Sequence, residues 1–279
     1  MFIKCWGSRG SIPVSGKDYL KYGGDTTCME IRSKNGHVII VDAGTGIRRL
    51  GNQLMEENCF EYDFIFTHAH WDHLMGFPFF KPLYKNAANI RMQGCPFAKQ
   101  YVEKLISRVM APPNFPIRPT AIMANVEYMP VCPMSFDIDT ITITPIPITH
   151  PNGGSGYKFE EDGKSFVFLT DNELGYPHNN AKTFEDYLEF SRGVDLLIHD
   201  AEFTPKEYEL TRGWGHSVYP RVVELATLAG VKELGLFHLN QDRFDQDMDR
   251  VVEDCRNILT QQGSDTQVSA VACDQVFEL

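Results

Sequence analysis

Six short apolar runs in this 279-residue chain each end in a carboxylate or an imidazole, and that repetition limits the folds open to it. Val38-Ile39-Ile40-Val41 ends in Asp42, and Phe64-Ile65-Phe66 ends in the block Thr67-His68-Ala69-His70-Trp71-Asp72-His73. Residues 141–148 end in Thr149-His150, and Phe166-Val167-Phe168-Leu169 ends in Thr170-Asp171. Leu196-Leu197-Ile198 ends in His199-Asp200, and Leu234-Gly235-Leu236-Phe237 ends in His238. Short apolar runs bounded by polar residues read as buried strands. If those strands share a rim, all six groups converge on one edge, where α/β proteins usually place their chemistry.

Helical patterns fill the gaps between runs. Over 98–110, Tyr101, Val102, Leu105, Ile106 and Val109 recur at helical spacing. Over 219–229, Val222, Val223, Ala226 and Ala229 share a side, with Ser217 as the expected N-cap and Gly230 as the stop. Over 247–262, Val251, Val252, Cys255, Ile258 and Leu259 form a stripe that ends at Gly263. These stripes are core-facing, and the class is α/β. No repeat, low-complexity tract or linker divides the sequence, so residues 1–279 read as a single domain.

The 67–73 block is denser in ligands than one ion needs from one segment, so it points to two metals. Imidazole with carboxylate suits zinc, and also manganese or iron. Lys and Arg number 26 against 37 Asp and Glu, a net charge of −11, which speaks against a broad duplex or tRNA footprint. No large nucleic acid and no membrane is expected as a partner, and a small phosphate ester is not excluded. Two divalent ions make a local positive field whatever the total charge. The seven cysteines are scattered without a C-x-x-C pair, as in a reduced intracellular chain. With no signal-like N-terminal run and no stretch of about 20 apolar residues, the expected location is the cytoplasm.

The order H-x-H-x-D-H, then a distant His, Asp and His, resembles the metallo-β-lactamase superfamily. Here those residues are His68, His70, Asp72, His73, His150, Asp171 and His238, and Asp42-Ala43-Gly44-Thr45-Gly46 is similar to that family's first motif. The resemblance implies a four-layer αβ/βα sandwich, two mixed β-sheets with outer helices. It implies two divalent metal ions, zinc first, with manganese or iron as alternatives. His68, His70 and His150 would hold one ion, and Asp72, His73 and His238 the other. Asp171 would bridge them, and a hydroxide shared by the ions would be the nucleophile. Asp42 would be a supporting carboxylate rather than a ligand. His37, His178 and His199 read as ordinary structural histidines.

Within the superfamily, His70 stands where flavodiiron proteins need a Glu, which weakens a redox reading. The stretch His199-Asp200-Ala201-Glu202, followed by Gly215-His216-Ser217, is similar to the ribonuclease Z branch and its small cyclic phosphodiesterase relatives. There a carboxylate orients a histidine that protonates the leaving oxygen. The resemblance makes His216 that acid and Asp200 its partner, beside Asp72 in the catalytic set. Glu202 competes for the partner role. Ribonuclease Z carries a tRNA-gripping arm between the residues matching His150 and Asp171, but only 20 residues separate them here. A homodimer is expected by analogy with that branch.

Several other segments are candidates for shaping a pocket. Arg9, in a Gly-rich stretch, is placed to contact a phosphate, and a second such stretch runs over 22–27. Trp71 and residues 77–80 read as core packing, with base stacking as the alternative. Asn240 is a candidate for a substrate hydrogen bond, and the Pro-rich loop near 110–119 for a lid or a dimer contact. The expected function is hydrolysis of a small or cyclic phosphodiester, such as a cyclic nucleotide. The alternatives are a lactone or thioester hydrolase and a non-catalytic metal-bound sensor.

Overall fold

A computed structural model describes residues 1–93, 99–113, 115–129, 134–178 and 182–279, with backbone alone at 99–102 and 105. Cys95, Cys132, Ala98 and Asn114, and the side chains of Tyr101, Val102 and Leu105, lie outside the described residues.

The apolar runs become strands in two sheets. The first sheet takes β1 (Phe2–Gly7), β2 (Cys28–Arg32), β3 (Val38–Val41), β4 (Glu61–Ile65), β5 (Asn89–Gln93) and β6 (Asn125–Tyr128). The second takes β7 (Phe136–Ile138), β8 (Ile141–Pro147), β9 (Ser155–Glu161), β10 (Lys164–Leu169), β11 (Leu196–Asp200), β12 (Glu233–Phe237) and β13 (Gln267–Ala270). Strand β14 (Val276–Glu278) returns to the first sheet beside β1. The orders are β14-β1-β2-β3-β4-β5-β6 and β13-β12-β11-β10-β9-β8-β7. In each sheet an antiparallel half meets a parallel half, at β3/β4 in the first and β10/β11 in the second.

Parallel neighbours need crossovers, and helices supply them. Helix α1 (Ile47–Glu56) joins β3 to β4, α2 (Trp71–Leu74) lies between β4 and β5, and α3 (Lys99–Val109) between β5 and β6. Helix α4 (Phe184–Phe190) links β10 to β11, α5 (Pro205–Thr211) and α6 (Tyr219–Ala229) lead to β12, and α7 (Asp245–Gln262) leads to β13.

The strands read as continuous apolar runs because both faces are buried. Ile39 and Val41 pack into the core between the sheets with Phe166, Phe168 and Ile198. Val38 and Ile40 face the other way, against Leu50 and Leu54 of α1. Across the second sheet, Val167 and Leu197 meet Val222, Val223 and Ala226 of α6. The result is the expected αβ/βα sandwich. None of the described helices is long and apolar enough to cross a membrane.

Helix limits differ little from the sequence reading, since α7 begins two residues early and α6 matches its predicted span. Gly230 and Gly263 end their helices with left-handed backbone, φ 65° at each. Ser217 is not the N-cap of α6; Val218 occupies that position without a side-chain bond. The Ser217 hydroxyl instead donates to the Asn172 carbonyl at 2.5 Å and accepts from the Leu174 amide at 2.9 Å. Those bonds tie the entry of α6 to the loop after β10. Between His150 and Asp171 the chain forms the β9–β10 hairpin.

Candidate metal centre

The six strand exits meet at one edge of the sandwich. Asp42 follows β3 and His238 follows β12 directly, and Asp171 lies two residues beyond β10. All three have left-handed backbone, with φ of 63°, 56° and 51°. Carboxylate and imidazole donors from these exits form two overlapping clusters around Asp171, and a third group beside them joins Asp200, Glu202, His216 and His238. One cluster joins His68, His70, His150 and Asp171; the other joins Asp72, His73, Asp171 and His238. Within each cluster one donor atom from every residue lies within 4.8 Å of the rest. Asp171 belongs to both. Its oxygens lie 3.4 Å from His68 Nε2, 3.2 Å from His73 Nε2 and 3.3 Å from His238 Nε2.

The imidazoles are held from behind. His73 Nδ1 donates to Asp42 Oδ2 at 2.7 Å. The Thr67 hydroxyl also donates to that carboxylate, so it is left to accept from His68 Nδ1 at 3.1 Å. His150 Nδ1 donates to the Gly215 carbonyl at 2.9 Å. With the protons on Nδ1, the Nε2 atoms of His68 and His73 are free to bind a cation, while that of His150 lies 3.0 Å from His70 Nδ1 and accepts from it. Gly215 has φ +99°, and a Cβ there would lie 2.0 Å from His150 Nδ1, so both conformation and space require glycine.

Charge separates the two clusters. Burial holds His68 well below the usual imidazole range, lowers His70, and pushes His150 down to about 3, so burial favours the neutral form of all three rings. Burial also opposes charge on His73 and His238, but the carboxylates outweigh it and both are raised. Asp72, Asp171 and Asp42 act on His73, and Asp171, Asp72 and Glu202 on His238. Asp72 and Asp171 are held well below the carboxylate range, because the facing imidazoles overcome the cost of burial.

The residues fit divalent ions. Among the described residues, the Nε2 atoms of His68 and His73 are buried without a hydrogen-bond partner. They point at carboxylate oxygens across a gap, and buried polar atoms are otherwise almost always paired. Four imidazole nitrogens aimed at shared carboxylates make a donor set suited to zinc, manganese or iron.

Beside the second cluster, His216 Nδ1 donates to Asp200 Oδ2 at 2.6 Å, while Glu202 Oε2 is 3.4 Å away. Asp200 is therefore the partner of His216. Its other oxygen accepts from the Ser217 and Glu202 amides at 3.0 and 3.2 Å. Burial pushes Asp200 up despite His216, and burial alone would lower His216, but Asp200 and Glu202 raise it. The His216 ring stacks on His238 at 4.4 Å.

The remaining candidates divide. Arg9 is fully buried, and its guanidinium donates to the carbonyls of Gly23, Asn240 and Arg243, so it does not face a substrate. Its loop still reaches the site, because the Ser11 amide donates to Asp72 Oδ2 at 3.0 Å. Asn240 is taken up by Glu202 and the Asp242 amide. Phe77, Pro78 and Phe80 are core residues, as expected, but Phe79 is 53% exposed and Trp71, beside His70 and Asp72, 75%. His37, His178 and His199 pair with Asp63, Glu173 and Asn172 and are members of neither cluster. In the Pro-rich loop, Met110 is buried and Phe115 packs edge-on to Phe79 at 5.4 Å.

Sequence reasoning missed Glu173. Its carboxylate is buried and accepts from the Gly213 and Gly215 amides, the Tyr208 hydroxyl and His178. It fixes the turn that lays Gly215 against His150. Its only sequence signal is a position two residues after Asp171.

A family model described as a Beta-lactamase superfamily domain matches residues 37–239, which include every member of both clusters. The chain belongs to the beta-lactamase superfamily. The ribonuclease Z of Haloarcula marismortui is 22% identical over 327 aligned positions, covering 99% of each chain. The crystal structure of a diphosphatase from the PhnP family has TM-score 0.68 at 19% identity, over 100% of this chain and 97% of its own. Human tRNase Z, short form, has TM-score 0.63 at 18% identity, over 100% and 99%. At such identities these structures support the fold alone.

The ribonuclease Z and tRNase Z likenesses correct one expectation, that no large nucleic acid is a partner. Net charge averages the whole surface, whereas a nucleic acid meets only the site and its rim, where bound cations set the field. Membership and the two assembled clusters make the chain a metal-dependent hydrolase by type. Which bond it cleaves depends on the site, since one fold hosts many chemistries.

Proposed function

We propose that this chain is a metal-dependent phosphodiesterase acting on a small or cyclic phosphodiester, with a cyclic nucleotide as the first candidate. His68, His70 and His150 would hold one ion and Asp72, His73 and His238 the other, with Asp171 belonging to both sets. Bound there, two divalent ions, zinc first with manganese or iron as alternatives, supply Lewis acidity and a nucleophilic water at neutral pH. The chain's own residues do the rest.

The observation that carries the reading is the His216–Asp200 pair beside the clusters. An alkoxide leaving from phosphorus needs a proton, and an oriented imidazole is well matched to that task near neutral pH. With Nδ1 committed to Asp200, Nε2 carries the proton to the departing oxygen. A thiolate leaving group needs no such acid, so the pair favours a phosphodiester over a thioester. The β9–β10 hairpin that fills the sequence between His150 and Asp171 supports a compact substrate.

The test is turnover of 2′,3′- and 3′,5′-cyclic nucleotides and bis(p-nitrophenyl) phosphate by metal-reconstituted protein, with a tRNA precursor in the same panel. His216→Ala is expected to lower kcat on the cyclic nucleotide that is cleaved by about 10²–10⁴-fold, the usual contribution of general acid catalysis. The loss should be smaller with p-nitrophenolate, which leaves without a proton. Turnover of the tRNA precursor alone would replace the compact substrate with RNA. No phosphodiester turnover with two metals bound would move the reading to a lactone or thioester.

A further inference from the structure

The neighbours on the two faces of the His238 ring fix its plane but not which edge carries Nδ1. One side meets Gly10, where a Cβ would lie 2.2 Å from the ring, and His216 stacks on it at 4.4 Å and 20°. Such a sandwich does not distinguish the two ring orientations related by a 180° flip about Cβ–Cγ, nor the two tautomers. Glu202 removes that ambiguity, accepting from His238 Nδ1 through Oε2 at 3.0 Å. Asp200 Oδ2 is 3.9 Å from the same nitrogen, beyond hydrogen-bond reach, and is already engaged by His216.

Glu202 is itself held at several points. Its Oε1 accepts from Asn240 Nδ2 at 2.8 Å, its amide donates to Asp200, and its carbonyl accepts from Arg243 Nη2 at 2.8 Å. Arg243 in turn pairs with Glu207 at 2.7 Å. The carboxylate is buried and has little freedom to move. With Nδ1–H donated to it, His238 Nε2 faces Asp72 Oδ2 and Asp171 Oδ2, each 3.3 Å away.

The two clusters are therefore supported differently. In the first, His68 and His150 are backed by neutral groups, the Thr67 hydroxyl and the Gly215 carbonyl. In the second, His73 and His238 are each backed by a buried carboxylate, Asp42 and Glu202. A carboxylate behind a ligating imidazole fixes its tautomer and raises its basicity. We infer that Glu202 is a positioning residue that sets occupancy of the second metal site by aiming His238, while the first site is independent of it. This rests on the metal-centre assignment above, and it divides the labour of the Asp200-Ala201-Glu202 segment. Asp200 serves the proton donor and Glu202 serves the metal.

The experiment is zinc titration of chelator-stripped full-length protein by calorimetry, with bound metal counted by elemental analysis, for wild type, Glu202→Gln and Glu202→Ala. Glu202→Gln keeps an acceptor but loses the charge, and Glu202→Ala loses both. The second equivalent should weaken about 10-fold in the first variant and about 100-fold in the second, the span typical of groups that support ligands. The first equivalent should keep wild-type affinity, which also shows that each variant is folded. Unchanged binding of the second equivalent in both variants overturns the inference. Equal weakening of both equivalents overturns it too, because Glu202 would then support the edge as a whole. Fewer than two equivalents in wild type instead defeats the dinuclear assignment, and the inference with it.

Discussion

Replacing Glu173 by Gln tests whether the turn behind His150 is held as the structure indicates. Oε1 accepts from the Gly213 amide at 2.7 Å and the Tyr208 hydroxyl at 2.8 Å; Oε2 accepts from the Gly215 amide and His178 Nε2, both at 2.8 Å. A Gln must put its NH₂ on one side or the other. The Tyr208 hydroxyl can rotate to accept, and His178 can change tautomer, but a backbone amide can only donate. Either choice therefore leaves one buried amide facing a donor, at about 1–3 kcal/mol, and removes the charge from the bonds that remain. The sum is about 2–4 kcal/mol. At about 2–4 °C per kcal/mol for chains of 150–250 residues, Tm should fall by roughly 4–16 °C in thermal unfolding. Because the Gly215 carbonyl orients His150, zinc affinity at the first site should fall about 10-fold in the same protein. A Tm and a first-site affinity both equal to wild type would refute the reasoning.

Two further outcomes follow from the buried charges. Burial alone would raise Asp63, but His37, Arg91 and Gln93 outweigh it and hold its carboxyl below the usual range. Its stabilisation is thus complete above the unfolded carboxylate value near about 3.9 and is lost as pH falls through the lower folded value. Asp63→Asn should cost about 2 kcal/mol in denaturant unfolding at pH 7, as expected for losing hydrogen bonds to a charged acceptor, and the penalty should shrink below about pH 4. A penalty that stays constant down to pH 3 would rule this out. Stripping the metals with a chelator should lower Tm reversibly, since ions that bind only the folded chain at 100 times Kd add about 2.7 kcal/mol. An identical Tm for stripped and reconstituted protein would show that the clusters do not hold metal in the folded state.

What the sequence disclosed follows from how locally each feature is encoded. The strands were legible because both faces are buried, so Val38 to Val41 and Phe166 to Leu169 are apolar without alternation. The clustered imidazoles were legible because His68, His70, Asp72 and His73 lie on one short segment. Features that depend on distant partners were not. Nothing near Glu202 in sequence says that its carboxylate meets His238 rather than His216, which depends on how β11 and β12 align in parallel. Glu173 gathers donors from residues 178 to 215, so its role exists only after folding. Arg9 carries the charge a phosphate would need, yet three backbone carbonyls occupy it in the interior. Ser217 has the right residue type for a cap, but a stronger claim came from the loop at Asn172 and Leu174.

The three left-handed residues at the strand exits make this edge a strained one. A non-glycine residue with positive φ costs on the order of 1–3 kcal/mol, so Asp42, Asp171 and His238 together place several kcal/mol at one edge. Glycine would relieve that strain and delete the functional group. The conformation is useful because it departs from the strand's alternation, turning the chain sharply so that the side chain can lie along the rim. The strain persists because each side chain is tied down by a group of its own. Asp42 is held by Thr67 and His73, Asp171 accepts from the Thr170 hydroxyl at 2.6 Å, and His238 is held by Glu202. Asp and Asn tolerate this conformation through local hydrogen bonds, whereas His has less intrinsic compensation. His238 is accordingly the exit most dependent on outside support. That dependence gives a physical reason for a buried carboxylate at position 202, where the ribonuclease Z pattern has threonine.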